Sequence, residues 1–373
     1  MTVEGDYRAK SLAKIVAVAR RGDTGVEVDR ASEIAEGQTV LVALRETPDR
    51  SLKTYLYGGD PGDIRQGKQI DTKMLVRVKA VNGAYVKFDR PLRFETRIGW
   101  IPEIRAFRPT VTKSGIEGLG FEFPATKYRG HFKGNGANAI ELRSIHNCWV
   151  RDVAIRNGDF SINLVACGNT LDGVVFTADS AAGCGSNERG VEVTGPHGVQ
   201  CKNAEDNLVT RFDFRTSYVH DLSVEHASGN VFARGGGVNL CSDHHKDTPY
   251  ENLFTDIDCG RGTRVWRCGG SAGLGRQSAS WETFWNIRAA GPFEPPPAGW
   301  GAPGMNFVGL AAKTANPLEP KGWFERLPPE QLRRPIFTPL SGCGGWAGCG
   351  NRPGVRGGLR GDIKDYFLRI LAA

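Results

Sequence analysis

The chain has little of what marks a helical or a membrane-spanning protein. Only three of its 373 residues are methionine, and Leu-rich stretches with a helical period are few, which argues against an α-helical architecture. No segment approaches the run of about 18 apolar residues that spans a bilayer. The first residues, Met1-Thr-Val-Glu-Gly-Asp6, lack the basic and apolar regions of a signal peptide. The nine cysteines are an odd number and include no Cys-x-x-Cys pair, so no zinc-ribbon or thioredoxin-like motif is legible. Cys148, Cys167, Cys241 and Cys259 fall in or beside strand-like runs, where a free cysteine behaves as a small apolar residue. Cys343 and Cys349, in a Gly-rich tail, are a candidate disulfide pair. No basic run interleaved with aromatics marks a nucleic-acid module. Neither nucleic acid nor a membrane is therefore an expected partner.

What the chain does have is turns and positive charge. It carries 49 glycines and 20 prolines, a net charge of +7 and a pI near 8.9. Arginine is frequent between residues 205 and 290. A mildly basic face favours polyanions such as acidic polysaccharide.

The strongest signal is a repeat. Asn147-Cys-Trp-Val, Asn169-Thr-Leu-Asp, Asn207-Leu-Val-Thr, Asn230-Val-Phe-Ala, Asn252-Leu-Phe-Thr and Thr283-Phe-Trp-Asn share one pattern. Their anchors are spaced 22, 38, 23, 22 and 31 residues apart: three single periods and two periods with insertions. Short β-rich units at a period in the low twenties, with no helical pattern between them, predict a parallel β-solenoid. Val150-Arg-Asp-Val-Ala-Ile155 and Val219-His-Asp-Leu-Ser-Val224 also match, 69 residues apart, which reads as three coils. Inward asparagines at the bends are expected to stack into ladders.

The expected fold is therefore all-β: a parallel β-helix with a small N-terminal antiparallel β cap and an irregular C-terminal segment. Alternating strands and turns, including Arg21-Gly-Asp-Thr-Gly25 and Val81-Asn-Gly-Ala84, place the cap within residues 1–108. The coils are expected over 109–290, with Gly-rich excursions at Thr177–Arg189 and Gly269–Ser280 and another long stretch at Phe123–Ala137. An irregular extension follows over 291–340, beginning at Pro295-Pro-Pro-Ala-Gly299 and including a short helix at Pro329-Glu-Gln-Leu-Arg333. A Gly-rich tail with a terminal helix over 362–371 fills 341–373.

The Asn-anchored strands, the paired Val150 and Val219 strands, and Asn207-Leu-Val-Thr-Arg-Phe-Asp-Phe214 and Asn252-Leu-Phe-Thr-Asp-Ile-Asp258 resemble the right-handed parallel β-helix of the pectate-lyase-like superfamily, over roughly half the chain. The resemblance implies a polysaccharide-active protein, as enzyme or as binding solenoid, acting outside the cell or at its surface. Two departures stand out. The Gly-rich, Asp-Asp-containing lead into a capping helix is missing, and so is the polygalacturonase set; Gly195-Pro-His-Gly198 only echoes part of it.

Ser242-Asp-His-His-Lys-Asp247 is the densest titratable cluster, and four of the seven histidines fall between 220 and 245. Residues one coil apart stack at about 4.8 Å, so His226, His244, His245 and Arg264 or Arg267 are expected on one outer face. β-Elimination on a uronate polymer needs a cation on the carboxylate, a base for the adjacent C–H and an acid for the leaving oxygen. Arg264 or Arg267 fits the first, His244 or His245 the second, and Tyr218 or His226 the third, with Asp243 beside them. Arg234, Lys246, Trp266 and Arg276 are expected to bind substrate. Hydrolysis would use paired carboxylates, for which Asp256 and Asp258 share a strand face by alternation, with Asp221 nearby. Asp243, His244 and His245 offer metal donors, but adjacent histidines on a strand point to opposite faces. No cofactor is expected, and calcium is the ion the resemblance allows. Lyase is ahead of hydrolase, with a non-catalytic carbohydrate-binding solenoid as the competing class.

Overall fold

The computed structural model describes residues 1–65, 71–130, 133–179, 186–188, 191–313 and 323–325. Two parallel sheets run through it. A six-stranded sheet orders Thr2–Glu4, Ile140–Arg143, Phe160–Val165, His197–Lys202, His220–Glu225 and Ser242–His244. An eleven-stranded sheet climbs from Gly115–Glu117 through Trp149–Arg156, Thr170–Thr177, Leu208–Thr210, Val231–Gly237, Leu253–Asp258 and Thr283–Arg288 to Asn306–Val308 and Trp323–Glu325. Every strand pair in both sheets is parallel, and the chain alternates between the sheets coil by coil. This is a parallel β-helix, right-handed as parallel crossovers are.

The asparagines form the expected ladder. Asn169, Asn207, Asn230 and Asn252 are all buried. The Asn207 amide donates to Asn230 Oδ1 at 2.9 Å and that of Asn230 to Asn252 Oδ1 at 2.9 Å. Each Oδ1 also accepts the backbone N–H of the preceding coil, as Asn230 Oδ1 does from Asn207 at 3.1 Å. At both ends the anchors expected from sequence are one residue out of register. Trp149 pairs with Thr170 and Leu253 with Thr283, so Cys148 and Glu282 hold the ladder positions and Asn147 and Thr283 do not. Cys148 N–H donates to Asn169 Oδ1, and Glu282 Oε1 accepts Asn252 Nδ2 at 2.7 Å.

The residue before each rung has a left-handed backbone: Asn147, Gly168, Asp206, Gly229, Glu251, Trp281 and Gly304 all have positive φ. A second left-handed column lies four residues after the rung, at Asp152, Gly173, Arg211, Arg234, Asp256, Asn286 and Gly309. Gly, Asn and Asp tolerate this conformation most readily, which explains the Asn- and Gly-rich bends. Trp281 is held there by Tyr55, with ring centroids 5.5 Å apart, and by the Arg21 guanidinium 4.6 Å from its ring.

Inside, each row repeats one side chain per coil. Val150, Leu171, Val209, Phe232, Phe254, Phe284 and Phe307 share one register, and the four phenylalanines stack at 4.6, 5.1 and 5.3 Å. Leu142, Leu164, Cys201, Val224 and His244 form the matching row of the six-stranded sheet.

Three sequence expectations change. Val150–Ile155 and Val219–Val224 lie in different sheets, so their match is an accident of alternating apolar positions and not a three-coil repeat. Thr2–Glu4 belongs to the coils, and the antiparallel unit begins after it with Ser11–Lys14. The parallel sheet also runs past residue 290, because the Pro295–Gly299 stretch is a connection between coils. The antiparallel unit orders Ser11–Lys14, Glu103–Ala106, Thr39–Arg45, Asp71–Asn82, Tyr85–Phe88 and Gly25–Glu27. Its Asn82↔Tyr85 hairpin turns at Gly83, φ 61°, as the Asn-Gly signal requires. It is bound to the coils by Arg90 and Arg93 on Asp206 and by Lys53 on Asp247 at 3.1 Å. The helices expected at 329–333 and 362–371, the tail and the Cys343–Cys349 pair lie outside the described residues.

Candidate active site

The last described strand of the six-stranded sheet, Ser242–His244, is short and in register with Leu222–Val224. Alternation therefore sends Asp243 outward, beside Ser223, while His244 joins the inward row over Val224. His245 follows on the outer side, its backbone N–H donating to Val224 O at 2.8 Å. His220 opens the preceding strand, and His197, one coil further back, pairs with it.

These positions converge on one carboxylate. Asp243 Oδ2 lies 2.8 Å from His245 Nδ1 and 3.2 Å from His220 Nδ1. The Ser223 hydroxyl donates to the same oxygen at 2.5 Å, and Oδ1 accepts the Gly269 N–H at 2.7 Å. The rings of Phe160, His197, His220 and His245 follow one another at 4.6, 4.9 and 5.0 Å. Asp243 is fully buried and His220 nearly so, whereas the His245 side chain is 19% exposed and opens the cluster to solvent. Lys202 and Glu225 pair at 2.8 Å, Glu225 preceding the outer position that His245 takes one coil on.

Burial works against the Asp243 charge, but the imidazoles of His220 and His245 hold its carboxyl well below the usual range. Burial also works against a charged His245; its hydrogen bond to Asp243 and that group's charge outweigh it and raise the imidazole above its ordinary value.

The Gly269–Gly275 loop, part of the Gly-rich excursion expected at Gly269–Ser280, roofs the cluster. A Cβ on Gly269 would come within 2.6 Å of His245 Cε1 and 2.8 Å of His220 Cε1, so glycine is needed for the close approach. The far side of the loop is strapped to the antiparallel unit. Gly275 N–H donates to Asp63 O, and Arg276 grips Asp60 and donates to Gly299 O at 2.9 Å.

Of the residues expected to act together, the fold joins Asp243 and His245, with Lys246 next in the chain beneath Gly270. His244 is fully buried against Phe254, Phe284 and Trp300, with Nε2 3.7 Å from Glu282, and is not on the outer face. Tyr218 is also in the core, between Phe176 and Phe214, bonded to Ser161 at 2.8 Å; burial raises its phenol, which suits no surface acid. Arg264 is buried against Asp221 and donates to Asn239 O at 2.7 Å, so it is a structural cation. Trp266 packs on Phe284, Phe293, Trp300 and Phe307. Arg276 serves the loop strap. Arg234 sits in the eleven-stranded sheet, away from the cluster. Arg267 is partly exposed on the following turn, and His226 Nδ1 lies 3.2 Å from Asp247 O. Asp256 has left-handed φ, which breaks the alternation with Asp258; it bonds Asn286, while Asp258 accepts the Gly260 N–H.

Sequence reasoning passed over His197, His220 and Lys202. The signal was present, since His197 and His220 are 23 residues apart, one coil. The metal-donor set read as Asp243, His244 and His245 is corrected in the same way: His244 turns inward, and His220 brings its nitrogen instead, the three donor atoms of His220, Asp243 and His245 lying within 4.8 Å of one another.

No protein-family model matches the chain, and no curated protein is similar to it in sequence. Among solved structures it is similar to the Gp54 tailspike of Acinetobacter baumannii bacteriophage AP22 in complex with A. baumannii capsular saccharide: 10% identity, TM-score 0.45, covering 82% of this chain and 44% of that one. It is also similar to the tailspike gp49 of Pseudomonas phage LKA1, at 11% identity and TM-score 0.31 over 82% of this chain and 61% of the other. A third likeness is to the tailspike gp61 of Pseudomonas phage phi297, at 11% identity and TM-score 0.31 over 86% and 56%.

Proposed function

We propose that this chain acts on an extracellular polysaccharide and cleaves it by β-elimination at the His220–Asp243–His245 cluster. The observation that carries the reading is the single buried carboxylate that fixes Nδ1 of a partly open histidine. A hydrogen bond from Nδ1 to Asp243 leaves the lone pair of the partly exposed His245 on Nε2, the arrangement a general base needs. Elimination also needs a proton for the leaving oxygen, which His245 returns after taking it from the C–H, and a cation for the uronate carboxylate. Of the two arginines expected for this, Arg264 is buried against Asp221 and Arg267 is partly exposed on the turn after the cluster. Lys202, which pairs with Glu225 beside the cluster and whose charge acts on His245, takes that role. Hydrolysis is less well supported, since it calls for two carboxylates across the scissile bond and the carboxylate of this cluster is buried beneath its histidines.

The outward row Glu141, Asn163, Gln200 and Ser223 repeats hydrogen-bonding side chains coil by coil beside the cluster; Gln200 and Ser223 are buried, and the half-buried Glu141 and Asn163 are the members that suit an extended sugar chain. The test is a screen of the purified chain across uronate polymers, reading ultraviolet absorbance of the unsaturated ends that elimination creates. Absorbance that grows with time supports the reading. Binding of a polymer without new unsaturated ends would replace it with a non-catalytic role.

A further inference from the structure

The same cluster has the composition of a metal centre. Its donors are two imidazole nitrogens and one carboxylate oxygen, with Nδ1–Oδ2 separations of 3.2 and 2.8 Å. Tetrahedral bonds of about 2.1 Å set neighbouring donors roughly 3.4 Å apart, so small shifts in the rings would admit an ion. Mixed nitrogen and oxygen donors suit divalent transition metals, whereas calcium and magnesium take oxygen shells. The fold fixes all three donors. His220 and Asp243 come from adjacent strands in register, and His245 is tied by its backbone to Val224. The Ser223 hydroxyl and the Gly269 N–H orient the carboxylate, as outer partners orient metal-binding carboxylates. A wholly buried carboxylate faced by two imidazoles is also a place where a divalent cation replaces protons at little structural cost.

We propose that His220, Asp243 and His245 form a site for one divalent first-row transition metal, with a further coordination position open on the His245 side. This rests on the same cluster as the proposed function and adds a regulation to it. A neutral imidazole bound to metal through Nδ1 carries its proton on Nε2, so the metal-loaded His245 has no lone pair left to take a substrate proton. Metal occupancy and base catalysis exclude each other, and zinc inhibits the elimination.

The experiment is a calorimetric titration of the untagged, chelator-treated full chain with zinc, with calcium as the control and thermal melts run in parallel. The expected result is one zinc per chain at a Kd of about 1 μM or tighter, a raised melting temperature and no response to calcium. His245→Gln and Asp243→Asn each weaken zinc binding at least tenfold. His245→Gln alters a partly exposed side chain, so it keeps the test readable if Asp243→Asn fails to fold. Absence of zinc binding by the wild type, or equal affinity in the folded His245→Gln chain, overturns the proposal. Zinc binding in a chain that cleaves no polymer upholds the metal site and removes the proposed reaction alone.

Discussion

Replacing Asn230 by alanine removes more than one contact. Its side chain is fully buried. Oδ1 accepts from the Asn207 backbone N–H at 3.1 Å and from its amide at 2.9 Å. Nδ2 donates to Asn252 Oδ1 and to Ala204 O, both at 2.9 Å. Alanine removes all four of these hydrogen bonds, at roughly 0.5–1.5 kcal/mol each, and leaves the Asn207 N–H buried without its partner, while the Ala204 carbonyl keeps the Ser228 N–H at 3.2 Å. We expect a total loss of about 4 kcal/mol, a large part of the 5–15 kcal/mol typical of a folded domain. Chemical denaturation followed by tryptophan fluorescence reads it as a lower midpoint. Because a solenoid's stability is a sum over neighbouring coils, the transition should also broaden as the central coils uncouple from their neighbours. Asn147→Ala is the control. That residue is exposed and holds no rung, so it should cost only the left-handed backbone term of about 1 kcal/mol. A loss below about 1 kcal/mol for Asn230→Ala would refute the ladder as the element that fixes coil register.

Other consequences follow from buried charge and close contact. Arg264→Met should destabilise the chain by about 3–5 kcal/mol, because it strands the buried Asp221 carboxylate; equilibrium unfolding measures it. Burial would raise the Asp206 carboxyl, but Arg90 and Arg93 hold it below the ordinary 3.8. Its stabilising contribution is therefore complete above pH 3.8 and is lost as pH falls toward the lowered folded value. The stability gap between wild type and Asp206→Asn should close over that acid range, read by melting temperature against pH. Gly269→Ala should force apart the rings of His220 and His245 and lower turnover by about tenfold or more while leaving the melting temperature nearly unchanged, measured by steady-state rates and thermal melts.

The fold was legible because a solenoid writes its period into the sequence through the left-handed bends, which favour Asn, Asp and Gly. The rungs at Asn169, Asn207, Asn230 and Asn252 were readable because the buried side-chain ladder beside those bends repeats asparagine coil by coil. The end rungs were not, since Cys148 and Glu282 fill the slot with unlike side chains, and a neighbouring Asn147 or Thr283 drew the eye one residue away. The site was half legible. Its sequence neighbourhood was found, but the roles of His244 and His245 depend on which faces inward, and a register of one residue decides that. Arg264 looked like a surface cation because its partner Asp221 lies 43 residues away, and no local pattern announces a buried ion pair. His197 and His220 were within reach of the period alone.

The adjacent histidines give the most direct test of the central claim, that strand register turns one toward the groove and the other into the core. His244→Ala and His245→Ala are compared for melting temperature and for turnover on whichever uronate polymer the wild type cleaves. The account predicts that His245→Ala keeps a near-native melting temperature and loses turnover, while His244→Ala opens a cavity among Phe254, Phe284 and Trp300 and lowers the melting temperature. Full turnover in His245→Ala, or an unchanged melting temperature in His244→Ala, would contradict it.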